Sequence, residues 1–223
     1  MKSMPTIKSA SPLIITGAFG SGKTECALAL AAAWARAGEA VSLVDLDFVN
    51  PYFRAQDHRA ELEGLGVAII APEARVAAID APSVPAETRT ALVHSRGRTI
   101  VDLGGDPAGA VVIAQFAAEM TQYDLWAAHN CFRPTTAEPA QAAALLAEIA
   151  GTARLRLSGL IAASHLGQHT TRDDVLAGLE STRAVAGLLG VPVVLVSAPA
   201  WLPLPAVEVP VLPITPRLKR PWE

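Results

Sequence analysis

Short apolar runs punctuate this chain from end to end, separated by longer stretches with helical patterning. The runs are Leu13 to Thr16, Val41 to Asp45, Val67 to Ala71, Thr99 to Asp102, Asp124 to Ala128, Leu157 to Ala163 and Val191 to Ser197. They are apolar throughout rather than at every second position, which is the pattern of strands covered on both faces. Between them, Glu25 to Ala37, Ala86 to Ser95, Pro107 to Gln122, Glu138 to Ala153 and Thr171 to Leu189 read as helices. In the last of these Val175, Leu179, Val185 and Leu188 mark an apolar stripe at near-helical spacing. Strands alternating with helices predict an α/β protein: a doubly wound, mostly parallel sheet with helices on both faces. Its ligand crevice is expected at the carboxyl ends of the strands.

Composition fits that picture without adding a partner. The chain has 223 residues, 51% hydrophobic and 17% charged, enough for one sizeable core. One domain is expected over residues 1–198. Residues 199–223 form a Pro-rich tail, extended on the domain edge or trailing from it, because seven prolines between Pro199 and Pro221 forbid a helix and exclude a central strand. A net charge of -3 argues for neither nucleic acid nor an anionic membrane surface. The apolar run from Cys26 stops at Arg36, short of the roughly 20 residues that span a bilayer. Residues Met1 to Ser11 lack the apolar centre of a signal peptide, so the expectation is a cytoplasmic protein with no stable membrane insertion. Cys26 and Cys131 are isolated, show no disulfide or metal spacing, and read as small buried hydrophobes. Trp34 falls on the stripe Cys26, Leu30, Trp34 and reads as core.

One segment carries specific chemistry. Gly17-Ala18-Phe19-Gly20-Ser21-Gly22-Lys23-Thr24 matches G-x-x-x-x-G-K-[ST], with an apolar strand before it and, from Glu25 on, a helix after it. That context defines a phosphate-binding loop. Glycines let successive backbone N–H groups curl round a phosphate, and the helix adds its positive end. Lys23 is the candidate for the β and γ phosphates, and the Thr24 hydroxyl for magnesium.

Carboxylates end the neighbouring strands. The second strand runs into Asp45-Leu46-Asp47 and the fourth into Asp102-Leu103-Gly104-Gly105-Asp106-Pro107. A magnesium ion bridging phosphates keeps waters that need carboxylate acceptors, so Asp45 and Asp102 are metal candidates. Gly105 is placed to offer its N–H to a γ phosphate. Asp106, before Pro107, reads as a helix cap.

The phosphate loop, the Asp-Leu-Asp of the second strand and the Asp-x-Gly-Gly of a later one together resemble the MinD/ParA/CobQ-type (SIMIBI-class) P-loop ATPases. GAFGSGKTE, VDLDFVNPYFR, VDLGGD and NCFRP resemble more closely an uncharacterised bacterial branch of ATP-binding proteins. The resemblance implies that Asp45 and Asp102 hold the magnesium shell and that Asp47 positions or activates the attacking water. It also implies a protein partner or a homodimer. The group carries a second lysine after the first loop glycine, which reaches a partner's nucleotide. Here that position is Ala18, which implies slow turnover.

The base is read less directly. Only Lys2, Lys8, Lys23 and Lys219 are lysines, so no Asn-Lys-x-Asp guanine motif exists, and ATP is favoured over GTP. Asn130 and Arg133, after the fifth strand, are candidate base-side contacts, with Ser164 or His165 flanking. His165 and His169 stand four apart, but Gly167 between them reads as a turn. The sequence thus predicts a magnesium-dependent ATP-binding protein and weak ATPase that couples nucleotide state to a partner. A small-molecule kinase or ligase with Asp47, Arg54 and His58 at its acceptor pocket is one alternative. A nucleotide sensor with negligible hydrolysis is another.

Overall fold

The computed structural model describes residues 7–47, 58–71, 84, 86–94 and 97–215. Eight parallel strands form a single sheet in the order β3-β2-β4-β1-β5-β6-β7-β8. They are β1 (Leu13–Thr16), β2 (Val41–Leu46), β3 (Val67–Ile70), β4 (Arg98–Leu103), β5 (Asp124–His129), β6 (Gly159–Ala162), β7 (Val193–Pro199) and β8 (Val211–Ile214). The helices are α1 (Lys23–Arg36), α2 (Arg59–Gly64), α3 (Ala86–Val93), α4 (Pro107–Ala114), α5 (Pro139–Ala153) and α6 (Arg172–Leu189).

Alternation along β1 divides the core in two. Leu13 and Ile15 face the α1 side with Leu28, Leu30 and Trp34, whereas Ile14 faces the opposite layer with Ile113, Leu146 and Val185. Side chains such as Leu28 and Leu30 are fully buried, each contributing about 1.5–3 kcal/mol. Arg98 lies over the Trp34 ring, 4.8 Å from its centroid, and seals that layer at its edge. The doubly wound architecture is as expected.

Two helices depart from expectation, α2 stands where none was expected, and the Pro-rich segment, expected as extended on the domain edge, supplies an edge strand. The helix from Pro107 ends at Ala114, not Gln122, because the chain tightens into successive i to i+3 turns: Phe116 N–H to Ile113 O and Glu119 N–H to Phe116 O. Those turns tuck Phe116 and Met120 into the core. In α6, Val175, Leu179 and Val185 are buried as predicted, but Leu188 is 61% exposed, and the buried face runs instead through Thr182 and Ala186. An eighth strand forms in the Pro-rich segment. It sits at the sheet edge, where Pro213 is paired in register with Ala198 and the missing proline N–H costs no inner ladder bond. No described helix is long and apolar enough to cross a membrane.

β1 is the topological centre of the site. It lies between β4 and β5, with Ile15 beside Asp102 on one flank and Trp126 on the other. The chain leaving β1 therefore emerges among the ends of strands on both sides.

Candidate functional site

The phosphate loop connects β1 to α1. Gly22 is the N-cap residue of α1 with φ 90°, and no side chain caps the helix. A left-handed cap costs an L-residue free energy that glycine avoids. The uncapped first turn keeps backbone N–H groups for an anion rather than for a neighbouring side chain. Ser21 N–H closes the loop onto Ala18 O at 3.0 Å.

Two neighbouring loops lock against it. The Thr16 hydroxyl donates to Gly104 O at 3.2 Å, tying the end of β1 to the Gly-Gly turn after β4. Gly105 passes so close that a Cβ there would collide with the Gly17 carbonyl oxygen. On the other flank Arg133 Nε donates to Gly20 O at 2.9 Å, and Asn130 Nδ2 donates to the same oxygen at 3.3 Å. Asn130 also donates to His165 O at 3.4 Å and accepts from Phe132 N–H at 3.0 Å. Its amide is thus engaged with protein on both ends. Arg133 and Asn130, expected at the base, both bond the Gly20 carbonyl of the phosphate loop.

The acidic strand ends meet at the other side of Lys23. Asp45 and Asp102 are cross-strand partners in the β2–β4 ladder, and Asp45 Oδ1 accepts the Asp47 N–H at 3.1 Å. Lys23 Nζ lies 2.6 Å from Asp47 Oδ2, with both side chains buried. Burial alone would lower the Lys23 pKa, but Asp102, Asp47 and Asp45 outweigh it and hold it above its ordinary value. Asp102 is fully buried, and neither of its oxygens meets a donor in hydrogen-bonding geometry. Burial pushes its pKa up to about 7, with Asp45 and Asp47 adding to the rise and Lys23 and the Thr24 hydroxyl opposing it.

Whether this cluster suits magnesium turns on Asp102. Two buried carboxylate oxygens without donors, beside the buried Thr24 hydroxyl and Asp45, are a donor set that a cation would satisfy. Among the described residues no three His, Cys, Asp or Glu side chains form a closed metal cage. The fit is therefore to an ion such as magnesium, which takes one or two carboxylates and completes its shell with water and phosphate.

The remaining predicted residues are dispersed. Phe19 is 70% exposed within the loop, while Ala18 and Ser21 are buried and Glu25 is half-buried in the first turn of α1. His165 packs on the loop, its Nε2 lying 3.6 Å from where a Gly22 Cβ would sit. His169 belongs to a short turn, Gly167–His169. Asp106 caps α4 by accepting the Gly109 N–H at 2.8 Å. His58 precedes α2, and Arg54, with the rest of the segment 48–57, lies outside the described residues. Cys26 is buried, its thiol pushed up to about 12 chiefly by burial. Cys131, expected to be buried, is part-exposed and accepts from the Ser164 hydroxyl at 3.4 Å. Sequence reasoning missed Thr16 as a tie between loops and missed the Lys23–Asp47 pair. A hydroxyl ending the strand was the available signal for the first, and nothing local signals the second.

No protein-family model and no curated protein sequence matches the chain. Solved structures do. The 54 kDa protein of the signal recognition particle from Aeropyrum pernix, in complex with GDP, is 19% identical with a TM-score of 0.54, over 85% of this chain and 41% of that one. Cell division protein FtsY from Thermotoga maritima is 16% identical with a TM-score of 0.55, over 89% and 65%. The signal recognition particle receptor FtsY from Elizabethkingia anophelis, in complex with GDP, is 14% identical with a TM-score of 0.51, over 88% and 59%. The chain thus spans about two fifths to two thirds of the length of these neighbours. The likeness is one of fold: a parallel α/β sheet covered by helices.

Proposed function

We propose that this chain is a magnesium-dependent ATP-binding protein of MinD/ParA type that hydrolyses ATP slowly and couples its nucleotide state to a protein partner or a second copy. The observation that carries this reading is the convergence on Lys23 of an uncapped helix start and three strand-end carboxylates. Backbone N–H groups from Gly17 to Thr24 cradle the phosphates, and Lys23 adds charge at their β and γ positions. Thr24, Asp45 and Asp102 would hold magnesium, which when bound neutralises charge on those phosphates. Asp47 orients the attacking water, and Gly105 offers its N–H on the γ side. Asn130 and Arg133 hold the shape of the loop, and the Arg133 cation favours an anion beside Gly20. Ala18 supplies no lysine to a partner, which supports low turnover. Phe19, exposed within the loop, supports a contact made there by another protein.

The test is thermal and calorimetric. Magnesium-ATP at 100 times its dissociation constant adds about 2.7 kcal/mol, which raises Tm by roughly 5–10 °C for a domain of this size. Lys23→Ala abolishes most of that shift. A melting curve that neither ATP nor GTP moves overturns the reading. Guanine nucleotide is the second reading, favoured by the GDP in two of the neighbouring structures. The chain's four lysines offer no guanine motif, so ATP is expected to bind several-fold tighter by calorimetry. Equal or reversed affinities select the second reading.

A further inference from the structure

The Lys23–Asp47 pair constrains how a nucleotide enters. Its partners are 2.6 Å apart and their side chains are 6% and 2% exposed. At that depth water does not screen the interaction as it does a surface pair. Asp45 and Asp102 bear on Lys23 as nearby charges, but among the described residues only Asp47 stands at ion-pair distance from it. Asp47 is itself held in place by its backbone bond to Asp45. The turn after β4 runs beside its other oxygen, which lies 3.7 Å from where a Gly104 Cβ would sit.

We propose that Asp47 competes with the triphosphate for the Lys23 ammonium, so that nucleotide binds by displacing a carboxylate from the lysine and Asp47 sets the affinity of the site. The inference rests on the nucleotide-binding reading above. It assigns Asp47 a role in the ground state, separate from any role in water attack. The physical reason is electrostatic: a γ or β phosphate oxygen and Asp47 Oδ2 are both anions seeking one buried cation. Whatever free energy the existing pair holds is subtracted from binding. Asn at position 47 keeps the shape and the backbone anchor but has no charge to hold Lys23. The substitution should therefore tighten binding, where loss of a simple binding residue would weaken it.

Removing any negative charge near a phosphate also helps binding, so the control is Asp45→Asn. It deletes the same charge close by, while the asparagine Oδ1 still accepts the Asp47 N–H that positions the ion pair. Working in EDTA removes the metal-shell role of both residues. Affinity for a fluorescent ATP analogue is measured on the full chain as wild type, Asp47→Asn, Asp45→Asn, and Asp47→Asn in a Lys23→Met background. Expected results are about 10-fold tighter binding for Asp47→Asn, less than about 3-fold for Asp45→Asn, and no gain from Asp47→Asn without the lysine; a tenfold change is readily resolved. Cooperative melting of each variant verifies that it folds, and Asp47→Ala replaces Asp47→Asn should the latter melt without cooperativity. Equal gains at positions 45 and 47 overturn the competition in favour of general charge relief, as does an Asp47→Asn affinity at the wild-type value. If wild type and all variants fail to bind with and without magnesium, the nucleotide reading falls and the competition falls with it. If wild type binds and Asp47→Asn gains nothing, only the competition is lost.

Discussion

Asp102 is the residue whose chemistry most exceeds what its fold requires. Fully buried and without a donor for either oxygen, it has a pKa pushed up to about 7 by burial first and by Asp45 and Asp47 next. The folded state therefore holds this proton more tightly than the unfolded chain, whose aspartates titrate near 3.9. Stability from Asp102 is complete below that unfolded value and is lost as pH rises through about 7. In magnesium-free buffer, the melting temperature of wild type relative to Asp102→Asn should fall between about pH 4 and pH 7, since the amide carries no charge at any pH. Asp174, whose carboxyl the Thr171 hydroxyl and N–H hold below its ordinary value, works with the opposite sign, but it is common to both proteins and cancels in the difference. Parallel melting profiles across that range would show that Asp102 is not a buried titrating group.

At the scale of elements, the loops after β5 and β6 meet the phosphate loop, and Asn130 bolts them together. Its amide bonds to Gly20 O, His165 O and Phe132 N–H, so Asn130→Ala removes three part-buried bonds, with Gly20 O still held by Arg133, at a cost of about 1–3 kcal/mol. If the side chain is a brace, the variant weakens ATP and GTP by the same factor and lowers Tm; a change in the ratio of the two affinities would return Asn130 to the base pocket. This element-level role was hidden in the sequence. The loop motif, the strand runs and the aspartates ending β2 and β4 were legible because each is written in a contiguous stretch. That β4 lies beside β1, placing Asp102 against Ile15, depends on long-range ladder pairing, to which local periodicity is blind. The Lys23–Asp47 pair joins residues 24 positions apart in chain count, on elements separated by β1's neighbour, and so has no local signature either. Helix α2 was too short and too polar to stand out, with Leu62 its one buried side chain.

The whole molecule poses a question at its far edge. β8 pairs with β7 from Val196↔Val211 to Pro199↔Ile214, and Leu212 is fully buried on the α1 side of the sheet. On the opposite side Leu202, Leu204, Val207 and Val209 pack over Val175, Leu179 and Val196. Residues 200–215 thus cover apolar surface on both faces of the last inner strand, though their prolines mark them as a tail. Burying one leucine contributes about 1.5–3 kcal/mol, and the partly buried side chains add to it. The sum is a large share of the roughly 5–15 kcal/mol that holds a domain together. We propose that the segment belongs to the α/β domain rather than trailing from it. A chain ending at Pro199 should melt about 10 °C or more below full length. Magnesium-ATP should still stabilise whatever fraction folds, because β8 supports the site only through its packing on α1, while the phosphate loop itself lies four strands away in the sheet order. If the truncated chain melts within about 2 °C of full length, a shift worth under about 1 kcal/mol for a domain of this size, the segment contributes little to the core. β8 would then be an ornament on a seven-stranded fold.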